Sequence, residues 1–155
     1  MESRSQPSQA HAYPTLGDFF RVDQLEGEAR RNEWMAVLPD STEIVVADLN
    51  GAPSSVGIAK AISIVQSRAY LERRAHQLIE RFETSGDAWR LLTIDFGFES
   101  EVHGSEFLMC FAREGRAAAE PTPASPYIEI GFALRKPVGQ APLFELSIRS
   151  VSGLT

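Results

Sequence analysis

The chain predicts an α+β domain in which an antiparallel sheet of about six strands, in the order ββ-αα-ββββ, carries helices on one face. Three observations lead there. Two strand-like runs joined by turn formers are followed by one long stretch of helix formers, and then by four runs of strand length with two-residue apolar alternation. With 155 residues, 43% hydrophobic and 23% charged, the chain has a globular composition and can bury a core without disulfides or metal.

Residues 1–12 are polar, contain serine and proline, and are without periodicity, which predicts a loose tail ahead of a single domain over 13–155. "NEWMAVLPDSTEIVVADLNG" then gives two strands, about Glu33–Leu38 and Glu43–Leu49. Pro39-Asp40-Ser41 joins them and Asn50-Gly51 closes the second. From Val56 to Glu83 helix formers dominate, with Ser54 or Ser55 placed to cap the start and Gly86 to stop the chain. The apolar stripe shifts within this stretch. Ile58, Ala61, Ile62, Val65 and Ala69 share one side, whereas Leu71, Ala75, Leu78 and Phe82 lie roughly 120° around the helix from it. One straight helix would need two different apolar neighbours, so a break is expected near Gln66–Ala69.

The four later runs are "WRLLTIDFGF", "SEFLMCFARE", "PYIEIGFALRK" and "PLFELSIRSV". Leu92, Ile94, Phe96 and Phe98 are expected on one face, as are Ile128, Ile130, Phe132 and Leu134, and Phe144, Leu146 and Ile148. One-sided strands suit a sheet with helices over one face and solvent over the other. "EGRAAAEPTPASP" predicts a mobile loop over about 114–126. Expected core residues are Trp34 or Met35, Val45, Ile62, Leu78, Ile94, Phe96, Ile130 and Leu146.

No apolar run reaches the roughly 18 residues of a membrane span, and "MESRSQPSQAHAYP" has no apolar signal core, so a cytoplasmic chain without membrane contact is expected. The single cysteine, Cys110, lies in the apolar run "FLMCF" and reads as a buried, inert thiol. The net charge is −6, and from Leu91 to Ala112 there is no lysine or arginine while Asp95, Glu99, Glu101 and Glu106 all fall there. Such a stretch repels nucleic acid and attracts basic surfaces. Either these carboxylates solvate a strand face and its turn, or they form, with His103, a surface for a basic partner.

Catalytic motifs are few. Asp95-Phe96-Gly97 matches the magnesium-binding triplet of protein kinases, but the glycine-rich loop, strand lysine and catalytic loop that accompany it are absent, and it reads as the end of a strand and a turn. His103 has no second histidine at ligand spacing, since His11 lies in the tail and His76 on the helix, so no metal or other cofactor is expected. "NGAPSSVG" lacks the lysine and glycine spacing of a phosphate loop and reads as capping chemistry.

The hairpin beginning "EWMAVLPD", followed by a short acidic turn and "SSVGIAKAISIVQSRAYLERRAHQLIERF", resembles a group of bacterial α+β domains found among the immunity proteins of polymorphic toxin systems, and related uncharacterised domains. The resemblance covers Asn32 to Phe82 by pattern, through Trp34, Leu38, Pro39 and the helix spacing, and the remainder by strand order. This chain departs from the pattern in having alanine where a glycine often follows the tryptophan, and in its long proline-rich loop. The resemblance implies a non-enzymatic protein that blocks a cognate toxin by covering it, with no catalytic residues to carry over. The expected binding residues are then Asp95, Glu99, Glu101, His103 and Glu106, and the expected partner is a toxin or effector with a basic surface. Two alternatives stay open: an acidic chaperone for a secreted effector, or a small ligand-binding or enzymatic domain with a pocket between sheet and helices. The oligomeric state is not set by the sequence.

Overall fold

The computed structural model describes residues 11–13, 16–26, 29–83, 86, 88–97, 104–114 and 126–152. It is an α+β fold in which two helices lie on one face of a mostly antiparallel sheet. The strands are β1 (His11–Tyr13), β2 (Gly17–Glu26), β3 (Ala29–Val37), β4 (Glu43–Leu49), β5 (Ala52–Pro53), β6 (Trp89–Phe96), β7 (Phe107–Arg113), β8 (Tyr127–Arg135) and β9 (Leu143–Ser152). The helices are α1 (Ser55–Gln66) and α2 (Arg68–Phe82). The spatial order is β1-β2-β3-β4-β6-β7-β8-β9, with the short β5 paired to β4.

This differs from the predicted sheet in two ways. Among the described residues there are nine strands where about six were expected, because β1 and β2 precede the predicted hairpin and β5 follows it. The β2 sequence "GDFFRVDQLE" breaks its alternation with two adjacent phenylalanines and several charges. It buries Phe19 completely while Phe20 points to the other face and is exposed. β1 begins at His11, inside the segment read as a tail; residues 1–10 lie outside the described residues, as does 115–125 of the predicted loop. The second difference is that β4 and β6 pair parallel. A hairpin cannot join parallel neighbours, and here the two-helix crossover makes the connection.

Local chemistry accounts for the junctions. Asn50 and Gly51 both have positive φ, 55° and 85°, which makes the Leu49–Ala52 connection a two-residue hairpin turn of the kind Asn-Gly favours. The Ser54 hydroxyl accepts the Gly57 N–H at 3.1 Å and caps α1. Gly57 packs closely on the sheet: a Cβ there would press on Val46 of β4 at 3.3 Å. The break between the helices falls at Ser67, inside the predicted interval, with its N–H turned back to the carbonyls of Ile64 and Val65.

The core lies between the helices and the sheet. Trp34, Ile44, Val46, Ile94, Phe96, Phe107, Phe111, Ile130 and Phe132 of the sheet meet Ile58, Ala61, Ile64, Leu71, Ala75 and Ile79 of the helices. Ile62, Leu78 and Leu146 are partly buried at its margin. A bulge between Leu91 and Thr93 shifts the phase of β6, so that Leu91, where Leu92 was expected, joins Ile94 and Phe96 in the core. Val45 is buried too, at 4% exposure, but it belongs to the opposite face, since Ile44 and Val46 on either side of it take the core positions. At one end Trp34 donates from Nε1 to Asp48 Oδ1 at 2.8 Å, with the Arg21 guanidinium 5.9 Å from its ring centre.

Candidate partner-binding surface

Strand alternation turns every second residue away from the helices. Glu43 therefore faces the open side with Val45, since Ile44 between them is core, and the register sets Thr93 beside Glu43 and Asp95 beside Val45. On β7, Leu108 stands opposite Asp95 and Cys110 opposite Thr93; on β8, Glu129 stands opposite Cys110. On β3, Glu33 stands opposite Ala47. Four carboxylates from four strands thus share one face, and among the described residues no helix packs over it.

Asp95 is the centre of the group. Val45 and Leu108 flank it in the neighbouring strands and are both buried. Burial pushes its carboxyl up to about 7, and the charges of Glu33 and Glu129 add to that rise, while the Gly97 N–H opposes it by donating to Oδ1 at 2.7 Å. Glu33 is itself buried, and its carboxylate passes so close to Gly97 that a Cβ at that position would collide with Oε2. A side chain at residue 97 would displace the Glu33 carboxylate. Thr93 donates from Oγ1 to Glu43 Oε1 at 3.3 Å. Burial, with Glu129, Asp95 and Glu43 nearby, pushes the Cys110 thiol up to about 12, which keeps it protonated and a poor nucleophile.

The structure treats the predicted site residues unequally. Asp95 lies on the open face. Glu106, just ahead of β7, is paired with Lys60 of α1 at 3.2 Å and lines a groove on the helical side, so these two acids are not brought together. Glu99, Glu101 and His103 lie outside the described residues. The triplet Asp95-Phe96-Gly97 is the end of β6 and a bend, with Phe96 packed on Phe107 at 5.5 Å between ring centres. His76 sits on α2 with its ring edge-on to Phe111 at 5.0 Å, a packing position. Among the described residues no group of three or more His, Cys, Asp or Glu side chains could hold a metal ion, and no helix is long and apolar enough to cross a membrane.

Glu33, Glu43 and Glu129 were missed because they are far from the lysine-free segment in sequence. Each carried a usable signal: Glu129 between Ile128 and Ile130, Glu43 before Ile44, and Glu33 before Trp34 mark the polar phase of their strands. Projecting that phase from all strands onto one sheet would have grouped them with Asp95. The molecule so defined is a two-helix α+β domain with four carboxylates on the sheet face turned away from the helices. Comparison with protein-family models, curated proteins and solved structures finds no match for this chain.

Proposed function

We propose that this is a non-enzymatic binding protein of the immunity type, which blocks a cognate bacterial toxin or effector with a basic surface by covering it, and that the open face of the sheet is where it binds. One observation carries the reading: Glu33, Glu43, Asp95 and Glu129 converge on that face. Complementary potentials steer a cationic protein onto such a surface and hold its register.

The test is recovery of the tagged chain from its source cells. It should hold a basic protein, release it as salt rises, and suppress that protein's toxicity when the two are expressed together. Glu43→Lys with Glu129→Lys should slow association by about tenfold or more at low salt and abolish the protection. A partner that binds this double variant at the unchanged rate would overturn the assignment of the face. If the captured protein is a secreted effector whose activity is untouched by binding, the acidic-chaperone reading replaces the immunity one. A second reading, a small enzymatic domain, is favoured by Asp95 alone, because a carboxyl that titrates near neutrality is suited to proton transfer. Turnover of a substrate that Asp95→Asn abolishes would select it.

A further inference from the structure

We propose that β9 and α2 together form a second binding site, which takes an extended acidic segment of another protein as an added antiparallel strand. β9 ends the sheet, and among the described residues no strand pairs with its outer edge. The strand contains neither proline nor lysine, the residues that commonly guard an exposed edge. Beside it lies a groove of about 360 Å³, lined by the apolar Leu78, Phe144 and Leu146 and by the cationic Arg74 and Arg81 of α2. Glu145 also lines it but is held by Arg135 at 2.5 Å.

Two hydrogen bonds set the direction of the β9 backbone. Glu106 N–H donates to the Phe132 carbonyl at 2.7 Å, so Phe132 turns its backbone polar groups toward β7 and away from β9. Leu146 stands opposite Phe132, which makes theirs a non-hydrogen-bonded pair. The N–H and C=O of Leu146 therefore point outward, and those of Phe144 and Ile148 follow by alternation. Arg74 agrees with this direction, since it reaches from α2 and donates from Nη2 to the Phe144 carbonyl at 3.1 Å. That acceptor is taken, and at the other end the register passes from Ile130 opposite Ile148 to Glu129 opposite Ser150, a bulge that ends the regular edge. Leu146 and Ile148 are left to pair with a new strand.

Charge selects the occupant. A residue added opposite Leu146 shares its face, so its side chain enters the groove that Arg74 and Arg81 line. Arg74 spends one donor on Phe144, and a guanidinium keeps others for a carboxylate. Arg81 is exposed and has no acidic partner among the described residues, in a chain of net charge −6. An aspartate or glutamate opposite Leu146 would meet both cations, while main-chain pairing supplies the part of the affinity that does not depend on sequence. A second copy fits less well. Its edge strands are β1, which contains no acid, and β9, whose one acid is the paired Glu145. The inference stands apart from the binding reading, because the open face attracts a basic surface and this edge an acidic strand.

The experiment is an NMR titration of the isotope-labelled full chain with acetylated, amidated heptapeptides in which glutamate alternates with valine or threonine. Binding should shift the amide signals of Leu146 and Ile148, and Arg81→Glu should weaken it by about tenfold. Circular dichroism checks the fold of that variant. Two changes on the peptide need no variant at all. Lysine in place of glutamate should weaken binding by about tenfold or more, and so should N-methylation of the glutamates, which removes the donors that pair with the edge. Glu43→Lys with Glu129→Lys should leave the affinity within about threefold, which separates this site from the open face. Absence of any shift on β9, equal binding of the lysine peptides, or indifference to N-methylation or to Arg81→Glu each overturns the proposal. So does loss of binding in the open-face double variant, or light scattering that shows two copies joined through β9.

Discussion

Arg68, the first residue of α2, holds Asp40 in the turn between β3 and β4 through Nη2 at 2.6 Å. The same guanidinium donates from Nη2 to Thr42 Oγ1 at 2.8 Å and from Nε to Glu72 at 2.5 Å. One side chain therefore ties the helix break to a turn distant in sequence. The turn is also held from within, since Leu38 and Thr42 close it through their backbones and Thr42 N–H donates to Asp40 Oδ1 at 3.1 Å.

Arg68→Ala should therefore destabilise the fold by about 1–3 kcal/mol at neutral pH, since it leaves three acceptors short of a charged donor. Asp40 supplies an internal check. Its carboxyl is lowered from 3.8 to about 2, chiefly by the hydrogen bond from Arg68. A folded-state value below the unfolded one adds stability above pH 3.8 that is lost as pH falls toward 2. The difference between wild type and variant in urea should shrink over that acid range. A gap that stays constant would show that Arg68 acts through packing alone.

How much of this was legible in the sequence depends on the range of the interaction. The helix break is a local matter of stripe phase, and the 120° shift placed it near Gln66–Ala69, the interval that contains Ser67. The Asn50-Gly51 turn and the Ser54 cap are equally local. The partner of Arg68 is not, because nothing near Arg68 in sequence points to Asp40. The parallel β4–β6 pairing and the gathering of Glu33, Glu43, Asp95 and Glu129 likewise depend on which strands become neighbours. Leu91 was misplaced because a bulge leaves no mark in simple alternation.

The core makes a sharper prediction at Phe96. Its ring meets Phe107, which stacks on Phe132 at 4.4 Å and meets Phe144 edge-on at 5.4 Å. Phe96→Ala opens a void at one end of that row and should cost about 3–5 kcal/mol. Chemical denaturation measures it. An unchanged midpoint would mean that the row closes over the gap.

Gly97 tests how tightly the open face is built. Gly97→Ala introduces the Cβ that collides with Glu33 Oε2, and should cost about 1–2 kcal/mol as the buried carboxylate is displaced. In a Glu33→Ala background the same change should cost far less. That non-additivity is the expected result, and equal costs in the two backgrounds would place the strain in the backbone.

Asp95 links the stability of this face to its charge. Its folded value of about 7 lies above the ordinary 3.8, with burial the first cause. A raised carboxyl contributes stability that is fully present below pH 3.8 and is lost as pH rises through about 7. Over the whole interval the loss is on the order of 4 kcal/mol. Asp95→Asn keeps an acceptor for the Gly97 N–H but removes the titration. The variant should exceed wild type in urea midpoint at pH 8, and the gap should narrow or reverse at about pH 5. The partner should show the opposite trend, because the face gains a negative charge as Asp95 ionises. Association of a basic protein with wild type should strengthen between about pH 6 and 8 and stay level with Asp95→Asn, provided the partner's own cations do not titrate there. If stability responds to pH as stated while association does not, Asp95 belongs to the architecture of the sheet and the binding surface lies elsewhere.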